Sequence, residues 1–242
     1  MIAVLLWVFC LTAWLAADPL AQELVALKQF HSRLGKVRYN LSYRWYADTL
    51  QTEAFKEEQV RFRQWDQYVY TDYGNQKIMI AHPDKYVVVN KPGRLILMDQ
   101  ARPAGPDPQE KIKPQDISAL VNKLQEVYNA KVSLQEGSST RCLQVRTTSG
   151  DLHRMEYYYN KKNYYPEKLV LLVRRMQVRQ KPERNDTSTI FSKIEVRYKD
   201  FQAGVESRPE DFPIQDYITR DSTGQYRPTP AYTDYHFINH IR

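Results

Sequence analysis

Residues Tyr157–Arg175, YYYNKKNYYPEKLVLLVRR, carry five tyrosines in their first nine positions, then a proline and an unbroken run of Leu and Val. Tyr157 to Tyr159 reads as the end of one strand, Asn160 to Asn163 as a polar turn, and Tyr164 to Val178 as the partner strand running back beside it. Rings on such a hairpin suit cross-strand packing, with their hydroxyls at a water boundary. The hairpin therefore covers apolar material on both sides of a sheet, one side incompletely closed. Because Leu169 to Val173 does not alternate, the parity of that run stays open.

Working outward, VSLQE, TRCLQVRT and DLHRMEYYY precede the hairpin, and STIFSKIEVRYKDF follows it, all with a period of two. In the last, Ile190, Ile194, Val196 and Tyr198 fall on one side and Lys193, Glu195, Arg197 and Lys199 on the other, so one face is buried and one is wet. Residues 36–100 repeat the theme in VRYNLSYRWYA, EQVRFRQWDQYVYTDY, QKIMIAH, KYVVVN and RLILMD. Gly74-Asn75, Pro83-Asp84 and Lys91-Pro92-Gly93 sit where tight antiparallel turns need them, giving a meander of five or six strands. Between the two meanders, ARPAGPDPQEKIKP holds four prolines in fourteen residues and reads as a loop or lid.

Two segments have a helical period instead. LAQELVALKQFHSRLG places Leu20, Leu24, Leu27, Phe30 or His31, and Leu34 on one stripe, with Gly35 as its cap. There His31 reads as the edge of the stripe rather than as a ligand. QDISALVNKLQEVYNA does the same with Ile117, Leu120 or Val121, Leu124, and Val127 or Tyr128, and is expected to lie on the sheet.

The first residues, MIAVLLWVFCLTAWLAADPLAQ, carry no charge before Asp18. An apolar block of this length followed by Ala16 and Ala17 reads as a secretory signal peptide over residues 1–17, with cleavage after Ala21 as the second choice. It is shorter than the roughly 20 residues that span a bilayer. Cys10 falls inside it, which leaves Cys142 as a single packed thiol in a strand, unable to form an internal disulfide.

The formal charge of +7 on 242 residues suits either plain solubility or an anionic lipid, glycan or acidic partner. Aromatic and basic residues interleave in YRWYA and VRFRQWDQYVY, but strand alternation produces that pattern without nucleic acid. No GxSxG, HExxH or cysteine pair is present, so no enzyme, metal or cofactor is expected. HFINH would bring His236 and His240 to one face only if helical.

The helix leading into YNLSYRWYA, the strands of EQVRFRQWDQYVYTDYGNQKIMIAHPDKYVVV, and CLQVRTTSGDLHRMEYYYNKKNYYPEKLVLLV followed by FSKIEVRYKDFQAGV and Phe212-Pro213 resemble the LolA and LolB group of lipoprotein carriers. The resemblance spans Leu20 to Pro213. It implies an α+β fold in which a curved antiparallel sheet forms an unclosed β-barrel with two helices over its concave face. It also implies a periplasmic location and an early-strand arginine, Arg61 or Arg63, that receives the ligand.

The expected organisation is a single domain over 18–217 and a polar, tyrosine-rich tail over 218–242, a docking arm or a poorly ordered end. The expected function is non-catalytic carriage of a lipid or acylated protein in a groove lined by Val60, Phe62, Val88, Leu95, Leu97, Val145, Leu171, Val173, Ile194 and Val196. Each of these reads equally as filled core. The second reading is an envelope adaptor with that filled core, using Tyr226, Arg227, Tyr232 and Tyr235 as partner contacts. Transient contact with a membrane surface is compatible with either. In a eukaryotic chain, Asn40 and Asn185 would be glycosylation candidates and the periplasmic reading would fail.

Overall fold

The computed structural model describes residues 18–100, 117–181 and 184–241. The expected signal peptide and the proline-rich loop lie outside the described residues.

The chain enters through helix α1, Pro19–Ser32, whose first turn is capped by Asp18 Oδ1 accepting from the Leu20 N–H at 3.0 Å, with Pro19 at its start. It ends three residues short of the expected glycine cap. Arg33 closes it in a right-handed conformation, its N–H reaching Phe30 O. Six strands follow, β1 Lys36–Tyr46, β2 Lys56–Trp65, β3 Tyr68–Asp72, β4 Lys77–Ala81, β5 Lys85–Asn90 and β6 Leu95–Gln100. Helix α2, Ile117–Tyr128, precedes β7 Lys131–Glu136, β8 Thr140–Arg146, β9 Leu152–Asn160, β10 Pro166–Lys181 and β11 Arg184–Ala203. Three short strands end the chain, β12 Ile218–Arg220, β13 Tyr226–Pro228 and β14 His236–Asn239.

Twelve strands make one sheet in the order β14-β6-β5-β4-β3-β2-β1-β11-β10-β9-β8-β7, and β12 pairs with β13 separately. Every pairing in the large sheet is antiparallel except β14 with β6. Strands β14 and β7 stand at opposite ends and do not pair with each other, so the barrel is unclosed. The β3–β4 seam is a tight turn with Gly74 at φ 63°, a conformation that costs glycine least. The long crossover is the β1–β11 pair, which joins the two meanders into one surface.

Both helices lie on one face, called inner here. Leu27, Val121, Leu143, Val145 and Met155 pack there with Tyr157 and Tyr159, all at most 1% exposed. Helix α2 buries Ile117, Val121 and Leu124, while Val127 points outward at 58% exposure, so Tyr128 rather than Val127 completes the stripe. The opening tyrosines are sorted by strand alternation. Tyr157 and Tyr159 point inward, while Tyr158 points outward with Lys168 Nζ 4.2 Å from its ring centre. The inward rings do not sit at water. The turn is also two residues longer than expected: Asn160 and Tyr165 close it through a backbone bond of 2.9 Å, and β10 starts at Pro166. Tyr164 and Tyr165 leave the ladder and pack against Phe30 of α1 at 6.2 and 6.1 Å between ring centres.

The outer face of β3–β6 is closed by the end of the chain. Ile78, Ile80, Val87, Val89, Ile96 and Met98 form a core with Phe212, Ile214, Tyr217 and Ile218, against which Tyr226, Tyr232, Tyr235 and Phe237 pack. Residues 218–242 were expected as an arm or a poorly ordered end; from 218 to 241 they instead pack onto the sheet, and β14 extends it.

Candidate functional site

Directly paired residues on neighbouring strands share a face, so the ladder register fixes which side chains line the inner surface. Val145 pairs with Met155, Met155 with Leu171, Leu171 with Ile194 and Ile194 with Trp45. Two steps along β1 from Trp45 is Tyr43, opposite Val196, and two further is Leu41, opposite Val60. Phe62 then pairs with Thr71, Thr71 with Met79, Met79 with Val88 and Val88 with Leu97. Leu97 meets Ile238 of β14. The row crosses the sheet from β8 to β14 with one polar member, Thr71.

The ten expected groove residues all fall on this inner face, including Leu171 and Val173, whose parity the sequence left open. They do not form one site. Val145 and Leu171 belong to the core beneath the helices. Val60, Phe62 and Val196 are buried in a middle cluster with Ile194, Tyr39 and Leu41. Val173 lies beyond both clusters, half-buried. Val88, Leu95 and Leu97 are half-buried on the far strands, together with Met79. On the same strands the outward residues Ile80, Val87, Ile96 and Met98 are at most 1% exposed, so the tail has sealed one side of β4–β6 more fully than anything has sealed the other.

Arg61 and Arg63 do not face this surface. Both alternate with Phe62 and point outward, where Arg61 Nη2 donates to Asp72 Oδ2 and Arg63 lies 5.9 Å from the Tyr70 ring centre. The pairing with Asp72 holds the Arg61 guanidinium above its ordinary range. Their parity follows from the same alternation that put Phe62 inside, so an inward arginine and an inward Phe62 could not both hold. Of the expected contact residues in the tail, Tyr226, Tyr232 and Tyr235 pack against their own chain. Arg227 remains largely exposed, with Nε 2.7 Å from Asp221 Oδ2.

Sequence reasoning missed Glu23. It sits on the inward stripe of α1, 6% exposed, where Tyr159 Oη donates to its Oε1 at 2.7 Å and Arg141 Nη1 to its Oε2 at 2.5 Å. Arg141 also holds Glu136 at 2.7 Å. A buried carboxylate needs such partners, and these pin α1 to β8 and β9. The signal was present, because Glu23 stands three residues after Leu20 and four before Leu27.

The described residues show no arrangement suited to catalysis by a thiol or a metal. Burial pushes the Cys142 thiol up, the reverse of an activated thiolate. Among the described residues no group of three His, Cys, Asp or Glu side chains could hold a metal ion. His236 and His240 bracket a strand rather than a helix, which separates them by roughly 13 Å at about 3.3 Å per residue.

These features define a protein with an unclosed antiparallel barrel whose inner face is plugged at one end and half-open at the other. No family model matches the sequence, and no curated protein does. Among solved structures, the chain is similar to a domain from Vibrio parahaemolyticus assigned to outer membrane lipoprotein sorting, at 10% identity over 80% of this chain and 96% of that one, TM-score 0.35. It is also similar to a LolA superfamily protein from Nitrosomonas europaea, at 11% identity over 81% of this chain and 98% of that one, TM-score 0.27. A third match is MucB, at 11% identity over 81% of this chain and 63% of that one, TM-score 0.40. Likeness at this level says nothing about ligands.

Proposed function

We propose that the protein is an exported, non-catalytic carrier that holds a lipid or acylated ligand against the inner face of β4–β6. The observation that carries this reading is the half-buried row Met79, Val88 and Leu97, which continues the buried inner surface but belongs to none of the three sealed cores. Apolar burial of about 25 cal/mol per Å² is enough for an acyl chain to bind there without polar recognition. The apolar start of the chain supports export, and with it a periplasmic location and envelope partners, including acylated proteins and transient membrane contact.

The test is titration of the whole protein with a fluorescent fatty acid. Val88→Asp places a charge in the half-open row without touching a filled core, and is expected to weaken probe binding by tenfold or more while leaving the fold intact by circular dichroism. Unchanged binding in Val88→Asp and in Leu97→Asp would overturn the proposal. A second reading, an adaptor with a filled core, is favoured by one observation: the helix-covered half is packed solid with Tyr157, Tyr159 and Met155. It predicts no probe uptake at all.

A further inference from the structure

A cleft of about 310 Å³ opens across β1, β2 and β11, with Arg38, Asn40, Arg61, Arg63, Asp200 and Gln202 in its lining. The ladder beneath it is irregular: Arg38 pairs with Gln202 but Asn40 with Lys199, so β11 carries one extra residue there. Bulges of this kind re-aim side chains. Here the bulge leaves Asp200 in the left-handed region at φ 55°, its Oδ2 accepting from Asn40 Nδ2 at 2.9 Å.

Arg38 and Arg63 are direct cross-strand partners, and Arg61 is opposite Asn40. Like charges set opposite each other on neighbouring strands are destabilising. Among the described residues, Arg61 alone of the three meets a carboxylate, the buried Asp72. Arg38 Nη2 donates to the neutral Gln202 Oε1 at 2.7 Å, and Arg63 lies 5.9 Å from the Tyr70 ring centre. The one carboxylate in the lining, Asp200, is turned to Asn40. Lys199 adds a further exposed positive charge opposite Asn40.

Two exposed arginines paired across neighbouring strands, lining one cleft without an ion-pair partner among the described residues, can turn their guanidiniums onto the oxygens of a tetrahedral oxyanion, which arginine binds bidentately. We propose that this cleft binds a phosphate group, with Arg38 and Arg63 as its donors. The phosphate belongs either to a lipid headgroup or to a soluble ester; both present the same oxyanion. The proposal is independent of acyl carriage, because these arginines point to the face opposite Val88 and Leu97.

The test compares thermal melts of the whole protein in sodium phosphate and in sodium chloride at matched ionic strength, beside flotation with phosphatidylcholine vesicles with and without phosphatidylglycerol. Arg38→Gln and Arg63→Gln are each expected to weaken the phosphate response about tenfold, the loss of one charge-assisted contact. Each is also expected to raise Tm in chloride, since it removes the repulsion. Arg44→Gln, whose partner is Glu57, leaves the response unchanged. A phosphate-specific rise in Tm lost in the variants identifies a soluble ester; phosphatidylglycerol-dependent flotation lost in the same variants identifies a headgroup. Absence of both effects, or their survival in the double variant, overturns the proposal.

Discussion

At the scale of single residues, polar contacts inside an apolar interface add to the leucine packing that holds α1 on the sheet. Glu23 is stable in its buried position because Tyr159 and Arg141 supply a donor to each of its oxygens. Tyr159→Phe removes one donor and adds no bulk. It is expected to cost about 1–3 kcal/mol, the range for leaving a buried acceptor unsatisfied, measured by urea unfolding. The many tyrosines also set an alkaline limit. Burial pushes Tyr198 up to about 12 from an ordinary 10.0, and pushes Tyr39 and Tyr157 well above it. Below pH 10 both folded and unfolded chains keep these protons and the full stability is present. Above it the unfolded chain releases protons first, so stability falls as pH rises through the window from 10 to 12. The expected observation is cooperative unfolding in that window, with tyrosinate absorbance rising in the same step. Gradual independent titration of the tyrosines before any loss of structure would contradict this account.

At the scale of elements, the last strands do the work of a second cover. His236 N–H donates to Arg94 O at 2.8 Å and His240 N–H to Met98 O at 2.9 Å, fixing β14 beside β6. Arg94 and Asp234 add an ion pair at 2.9 Å. Deleting residues 218–242 strips Ile218, Tyr226, Tyr232, Tyr235 and Phe237 from the core over β4–β6. Side chains of this size contribute about 1.5–3 kcal/mol each when fully buried. At about 2–4 °C per kcal/mol in a domain of this size, Tm is expected to fall by roughly 10 °C or more, with aggregation. An unchanged Tm would mean that the tail is a free arm.

The same elements show what the sequence makes legible. Strands with clean alternation and a glycine or proline turn, such as β4, β5 and β6, lie where the pattern places them. The β2–β3 turn at Asp66-Gln67 is hidden inside EQVRFRQWDQYVYTDY, because Asp66 adopts φ 51° without a glycine to announce it. Strands β12–β14 run for only three or four residues, too few for periodicity to register, and β14 takes its register from a strand far back in the chain. Alternation made the parity of eight groove candidates legible but left Leu171 and Val173 open, because the run Leu169 to Val173 does not alternate. The separation of all ten into filled and half-open regions was not legible, because it depends on which cover lies over each strand.

At the scale of the whole molecule, two covers act on opposite faces and at opposite ends of one sheet. The helices seal the inner face over β7–β10, and the tail seals the outer face over β3–β6. The inner face of β4–β6 is what neither cover closes, and it is the region where a greasy ligand would find apolar surface already in place. Val196, at 4% exposure, lies in the filled middle and would report on folding if charged. Val88 and Leu97 would report on the proposed ligand. The most direct measurement is native mass spectrometry of the protein exported and purified without detergent, in its wild-type form and as Val88→Asp. A one-to-one adduct of lipid mass is expected on the wild type and absent from the folded variant. A bare wild-type mass that stays bare after incubation with a long-chain fatty acid would contradict the proposed carrier function.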